Sequence, residues 1–134
     1  MRAIDTNVLV RLLARDDRKQ TAAAEAFVAE GAWVSHLVLA EALWVLSAVY
    51  DRTPAQLIGA LEMLLAHRHL ALQDAETVAA ALAHFKRRPA LGFSDCLVLE
   101  IARKAGHGPL GSFDKALTTL PQTLRLTIGE SKAP

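Results

Sequence analysis

Apolar residues follow two alternating patterns along this chain: short runs, and longer segments in which they recur at helical spacing. The short runs stand next to glycine, proline or polar residues, which is typical of short strands. Such runs predict five strands, at residues 2–4, 32–34, 70–72, 110–112 and 124–128.

The longer segments are predicted as helices because their apolar side chains recur every three or four residues. Gly31 ends the second of these segments, and Pro54 stands near the first turn of the fourth, where proline is tolerated. Pro89 and Gly92 break the chain before the last of them. The predicted helices cover residues 8–14, 18–30, 37–50, 54–67, 76–88 and 94–105, and a short helix follows at 115–120.

The alternation of strands and helices predicts an α/β fold, with a short, mainly parallel central sheet between two layers of helices. Residues 1–129 are expected to form this single domain, and residues 130–134 a short C-terminal tail. Parallel sheets bind ligands beyond the carboxyl ends of their strands. Asp5 and Asp114 each follow a predicted strand, so we expect both at one edge of the molecule.

Composition supports one domain with a core of leucine, alanine and valine, since 52% of the 134 residues are hydrophobic and 5% are aromatic. The single cysteine, Cys96, excludes an internal disulfide and a cysteine-based zinc site, and it fits a reducing compartment. We find neither a secretory leader nor an apolar run long enough to cross a bilayer, and we expect a cytoplasmic protein. The net charge of +1 means that a polyanion would need a local basic patch.

Glu41 is the one acidic or basic residue in the apolar segment at 37–50. A helix that is apolar on nearly every face is normally buried, and a buried carboxylate needs a partner that offsets its charge. Two interpretations remain open. Either Glu41 points to solvent or meets a core arginine, or it belongs to a site for a bound cation, which is the interpretation that we favour.

Three aspartates stand at the ends of predicted elements, and each also has a purely structural explanation. Asp5 precedes the first helix and fits its N-cap. Asp95 lies in the first turn of a helix, where the helix dipole favours a negative charge, and Asp114 fits the cap of the short helix after it. With Glu41 they supply four carboxylates that a parallel sheet can bring together.

Carboxylates gathered in one cleft repel each other unless cations lie between them. Mg²⁺ and Mn²⁺ take oxygen ligands, and one or two such ions can orient water and neutralise charge on a phosphodiester. The sequence therefore indicates a metal-dependent nuclease. The histidines have no zinc-motif spacing, and no role is assigned to His36, His67, His69, His84 or His107.

Four segments of the chain resemble the PIN domain family, and most closely the VapC-type toxins of VapBC toxin–antitoxin pairs. In order and spacing they extend over almost the whole chain. The segments are Ile-Asp-Thr-Asn-Val-Leu at 4–9, Leu-Ala-Glu at 39–41, Phe-Ser-Asp-Cys-Leu at 93–97 and Gly-Ser-Phe-Asp at 111–114.

This resemblance implies a PIN-like fold and an endoribonuclease that uses one or two Mg²⁺ or Mn²⁺ ions and leaves a 5′-phosphate. It also implies a cognate antitoxin and a homodimer. The family's acidic catalytic and metal-binding residues map to Asp5, Glu41, Asp95 and Asp114, and its polar supporting residues map to Thr6, Asn7 and Ser112.

The sequence gives weaker evidence for the surfaces that would contact an antitoxin or RNA than for the acidic residues. An antitoxin segment would lie on the apolar surface of the helix at 54–67 and of the first two helices, although core packing also explains that apolar stripe. Phe93 and Phe113, next to two of the acids, are the aromatic residues that could stack on bases, although phenylalanine at such positions is more often part of the core. Candidate phosphate-binding residues, which are equally explained as solvated helix ends, are Lys86, Arg87, Arg88 and Lys115.

Two other functions remain open. Asp5 can be the covalent nucleophile of a phosphatase or phosphotransferase, although Asn7 stands where such enzymes usually carry a second aspartate. Alternatively, the chain is a non-catalytic PIN-like module that binds RNA or a protein.

Overall fold

The computed structural model describes residues 1–129, and the predicted tail at 130–134 lies outside the described residues. The strands are β1 (Arg2–Ala3), β2 (Ala32–Val34), β3 (Leu70–Leu72), β4 (Leu110–Ser112) and β5 (Thr123–Arg125). The helices are α1 (Thr6–Ala14), α2 (Arg18–Val28), α3 (His36–Ala48), α4 (Pro54–Leu65), α5 (Ala75–Arg87) and α6 (Phe93–Lys104). These elements confirm the predicted order of strands and helices and a three-layer α/β/α fold.

Polar side chains begin the first four helices, because they accept hydrogen bonds from the free N–H groups of the first helical turn. Asp5 caps α1, Asp17 caps α2 and Ser35 caps α3. Thr53 and Gln56 form a reciprocal capping box at the start of α4. These caps fix where each helix leaves the preceding strand or loop, and the cap of α1 is itself one of the candidate site residues.

The five strands form two parallel sheets. In the first, β2 lies between β1 and β3, and in the second, β4 pairs with β5. The sequence predicts the last strand at 124–128, but β5 ends at Arg125 because its partner β4 is only three residues long. The short helix predicted at 115–120 is a single 3-10 turn at Leu117–Thr119.

The core is built from aliphatic side chains of the helices and strands, as the composition predicts. Helix α1 packs against α2 and α3, and α6 packs against α5 and α3. Within residues 1–129, no helix combines the length and the apolar content that crossing a bilayer requires. The largest fully buried side chains include Leu9, Leu39, Leu61, Leu64 and Leu99.

Helix α3 is apolar nearly all round, yet it is buried on one side only. Leu37 and Trp44 are 68% and 65% exposed, and Glu41 is exposed between them. The expectation of a buried helix with Glu41 inside is therefore wrong. The helices packed on α3 cover only the side that carries Leu39, Ala42, Leu43 and Leu46.

A buried carboxylate does occur in α6, at Glu100, which is 3% exposed. Arg103 donates two hydrogen bonds to it, at 2.8 and 2.6 Å, and His84 Nε2 lies 3.7 Å from it. The hydrogen bonds and charge of Arg103, aided by His84, hold the pKa of Glu100 below its ordinary value although burial opposes them. Glu100 is thus paired within the fold and helps to join α5 to α6.

Candidate active site

The start of α1 and the middle of α3 are joined by a hydrogen bond between candidate site residues. Asp5 follows β1 and caps α1 through Oδ1, which accepts a hydrogen bond of 3.1 Å from the Val8 N–H. Its neighbour Thr6 donates its hydroxyl to Glu41 Oε2, at 2.8 Å. The structure therefore brings the segment that carries Asp5 against Glu41, and a supporting hydroxyl lies between them.

Asp95 and Asp114 form a second pair of candidate acids. Asp95 stands in the first turn of α6, and Asp114 stands in the loop after β4. Asp95 is exposed, yet partial burial raises the pKa of its carboxyl, and the negative charge of Asp114 raises it further. The two side chains are therefore near enough to repel each other.

The loop that carries Asp114 is ordered by short-range hydrogen bonds. Ser112 Oγ accepts a hydrogen bond of 3.0 Å from the Asp114 N–H. Asp114 Oδ1 accepts hydrogen bonds from the N–H groups of Ala116 and Leu117, at 2.8 and 2.9 Å. Asp114 Oδ1 thus orders the turn that leads into the 3-10 segment, whereas the cap residue of that segment is Ala116.

Most other acids of the described chain form ion pairs, although Asp17 and Asp51 do not. Asp16, Asp74 and Glu100 each pair with an arginine or a lysine. In the part of the chain that the structure describes, no ion pair involves any of the four candidate acids. The four acids, Asp5, Glu41, Asp95 and Asp114, therefore have no basic side chain paired with them among residues 1–129.

The negative charge at the start of α6 also acts on its neighbour, Cys96. This thiol is fully buried, and burial together with the charges of Asp95 and Glu100 raises its pKa to about 11. A thiol with this pKa stays protonated at neutral pH and is a poor nucleophile and metal ligand.

Carboxylate and hydroxyl oxygens are the donors that hard divalent cations prefer. Within residues 1–129, no group of three or more His, Cys, Asp or Glu side chains is placed so that it could hold a metal ion. Asp95 instead lies close enough to Asp114 to sense its charge, and Glu41 is linked to the residue after Asp5 by the hydroxyl of Thr6. Such pairs fit Mg²⁺ in their chemistry, since this ion keeps several waters and binds directly to one or two carboxylates.

The remaining polar candidates occupy different surroundings. Asn7 is exposed in the first turn of α1 and lines, with Asp5, a surface cavity of about 370 Å³. Lys115 is exposed directly after Asp114. The basic run at the end of α5 contacts neighbours in the fold: Lys86 with Glu62 (2.9 Å), Arg87 with His84 (3.0 Å) and Arg88 with Thr119.

The aromatic side chains near the acids differ from the expectation. Phe93 is 4% exposed and packs edge-on against Phe85, so it belongs to the core and offers little open ring surface to a base. Phe113 is 65% exposed beside Asp114. Sequence reasoning missed Trp44, which stands three residues after Glu41 and is therefore its neighbour on one face of α3.

Comparison with known proteins gives one match. The family model of the PIN domain matches residues 3–121, a range that includes all four candidate acids and extends from the end of β1 to just before β5. No curated protein and no solved structure matches the chain.

Proposed function

We propose, because the chain belongs to the PIN domain family, that it is an endoribonuclease dependent on Mg²⁺ or Mn²⁺. PIN domains generally are metal-dependent nucleases. In this proposal Asp5, Glu41, Asp95 and Asp114 are the catalytic and metal-binding residues, and RNA is the substrate.

The observation that carries the proposal is the PIN domain match over residues 3–121, and the pair formed by Asp95 and Asp114 supports it. Two aspartates that repel each other, with no basic partner among residues 1–129, are unfavourable for folding. Such local conflicts are expected at functional sites, where a ligand later offsets them. A divalent cation is the ligand whose charge would remove the repulsion.

Each polar group of the site has a task that follows from its contacts. When bound, one or two Mg²⁺ or Mn²⁺ ions supply Lewis acidity and the positive charge that phosphodiester hydrolysis requires. Thr6 orients the Glu41 carboxylate through its hydroxyl, and Ser112 orders the loop that presents Asp114. The exposed ammonium group of Lys115 is available to a phosphate of the RNA backbone.

The experiment that tests this proposal is cleavage of single-stranded RNA by the purified chain, with Mn²⁺ and with EDTA. We expect cleavage with Mn²⁺ only, products that carry a 5′-phosphate, and no cleavage by Asp95→Asn. Asp51→Asn is the matched control, since Asp51 is exposed at a positive φ of 52°, which asparagine also tolerates. Cleavage in EDTA, or full activity of Asp95→Asn, would reject the proposed mechanism.

A VapC-type toxin role is a further part of the proposal, and it includes a cognate antitoxin and a homodimer. Helices α1, α2 and α4 border a groove of about 600 Å³ lined by apolar side chains such as Leu12, Val28 and Met63. A groove of this kind suits an amphipathic segment of an antitoxin. Most of the predicted α4 stripe, in contrast, is core, because Leu57, Leu61 and Leu64 are buried.

The toxin role is tested by expression of the chain in bacteria. We expect growth arrest with the wild-type chain and normal growth with Asp95→Asn at equal expression. A short neighbouring gene for a DNA-binding protein with a helical tail would supply the antitoxin, and its co-expression should restore growth. Normal growth with the wild-type chain would argue against a toxin.

A non-catalytic PIN-like module is the second candidate. The observation that favours it is that the described residues contain no metal-holding group of three or more ligands. This alternative predicts RNA binding without cleavage at any Mn²⁺ concentration, so the same assay distinguishes the two.

A further inference from the structure

A cavity of about 300 Å³ opens beside Asp95, between α3, the start of α4 and the connection from α5 to α6. Its wall includes Trp44 and Ser47 from α3 and Ser94 and Asp95 from α6. We infer that this cavity, with the ring of Trp44, forms a subsite for one unpaired nucleobase of single-stranded RNA. The inference rests on the proposed nuclease function and adds the residue of this chain that would hold a base beside the acids.

The position of Trp44 is the first argument. Its side chain is 65% exposed, although an indole ring gains more than almost any other side chain from burial. Because Trp44 follows Glu41 by three residues, both lie on one face of α3. An aromatic platform therefore stands next to one candidate acid, and Asp95 lies in the same cavity wall.

The composition of the wall is the second argument. Leu57 and Phe85 give it apolar surface, while Ser47 and Ser94 carry hydroxyls that can donate or accept hydrogen bonds. The one ionisable residue in the wall, as far as the described residues define it, is Asp95. A carboxylate repels a phosphate group, so the wall suits a neutral flat group with a polar edge, which describes a base.

The volume is the third argument. A cavity of about 300 Å³ is at the small end of ligand pockets, which suits one base and excludes a duplex. Proteins that recognise single-stranded RNA place splayed-out bases on aromatic side chains and read their edges by hydrogen bonds. A base held here lies beside Asp95, and its phosphodiester then lies near the acids that would act on it.

The two tryptophans of the chain, Trp33 and Trp44, allow a direct binding experiment. The Trp33→Phe variant keeps Trp44 as its single tryptophan, and Trp44→Phe keeps Trp33 as the matched control. Each is titrated in EDTA with a single-stranded oligouridylate and with the same RNA in a duplex, while anisotropy of a labelled RNA reports total binding. We expect the single strand to quench the fluorescence of Trp44 and leave that of Trp33 unchanged, and the duplex to quench neither.

Kinetics with Mn²⁺ provide the second measurement. We expect Trp44→Ala to raise the KM for single-stranded RNA about ten-fold, with kcat changed less than about two-fold, because stacking on one base is lost. Trp44→Phe should stay within about three-fold of wild type, since phenylalanine also stacks. Leu37→Ala controls for loss of exposed apolar surface, because Leu37 is 68% exposed on the same helix.

Several results would overturn the subsite. Binding of single-stranded RNA without quenching of Trp44, or an unchanged KM for Trp44→Ala, shows that no base stacks there. A blue shift of Trp44 emission that grows with protein concentration in the absence of RNA assigns the cavity to a second copy of the chain. If the wild-type chain cleaves RNA and Trp44→Ala has an unchanged KM, the subsite is rejected and the nuclease function stands. If RNA quenches Trp44 but no cleavage occurs, the subsite stands and the nuclease function is rejected.

Discussion

Replacing Asp95 by asparagine is expected to stabilise the metal-free fold while it abolishes cleavage of RNA. In the native fold, partial burial and the charge of Asp114 both disfavour the ionised form of Asp95, and both raise its pKa. Asparagine keeps the size and shape of the side chain but carries no charge. The substitution therefore removes an unfavourable interaction from the fold together with a proposed metal ligand.

The expected gain is small because Asp95 is exposed and solvent screens its charge. Exposed charge pairs contribute about 0.2–1 kcal/mol, and a repulsive pair costs a similar amount. We therefore expect Asp95→Asn to raise the free energy of unfolding by about 0.5 kcal/mol, which raises Tm by roughly 1–3 °C for a chain of this size.

The assay is thermal unfolding in EDTA at low ionic strength for wild type, Asp95→Asn, Asp114→Asn and the double variant. Either substitution alone removes the same repulsion. The free energy of unfolding of the double variant should therefore rise by less than the sum of the two single increases. Additive effects of the two substitutions on the free energy of unfolding would refute the claim that these carboxylates repel each other in the folded chain.

Three further predictions concern residues around the site. Glu100→Gln should cost about 2 kcal/mol at neutral pH, because the charge-assisted bonds from Arg103 weaken. The pKa of Glu100 is lowered in the fold, so its stabilisation is present above its ordinary value of 4.5 and is lost as pH falls through the lowered pKa. Urea unfolding across this range should show the deficit of Glu100→Gln shrinking towards low pH, and a constant deficit would contradict this. The thiol of Cys96, with a pKa of about 11, should react with a thiol reagent only after unfolding, and rapid labelling of the native chain would count against it. Thr6→Val should lower kcat about ten-fold through loss of the bond to Glu41, whereas Thr6→Ser should restore it; equal rates for all three proteins would exclude a positioning role.

The order of elements is predictable from the sequence because local signals mark each boundary. Asp5, Gly31 and Pro54 stand at helix ends for reasons that act over a few residues, namely capping, positive φ and a fixed φ. The end of β5 is not predictable in this way. It depends on the length of β4, the strand with which β5 pairs, and this length cannot be read from the apolar run at 124–128 itself.

Burial around α3 shows the limit of composition as a guide. The segment is apolar nearly all round, but exposure depends on which neighbours pack against it, and these cover one side only. The argument for Glu41 from a buried charge therefore fails, although the hydrogen bond from Thr6 gives Glu41 a place beside the Asp5 segment. The same error hid Trp44, because an aromatic residue in an apolar helix is normally taken as core.

The central claim is that a divalent cation offsets the charge of the candidate acids, and Mn²⁺-dependent stability measures this most directly. Thermal unfolding is followed as Mn²⁺ is added to wild type and to the Asp95→Asn, Asp114→Asn double variant, with Mg²⁺ as a second ion. The wild-type chain should gain about 2.7 kcal/mol at a Mn²⁺ concentration near 100 times Kd, and the double variant should gain much less. An equal gain in both proteins, or no gain in either, would contradict a cation site at these carboxylates.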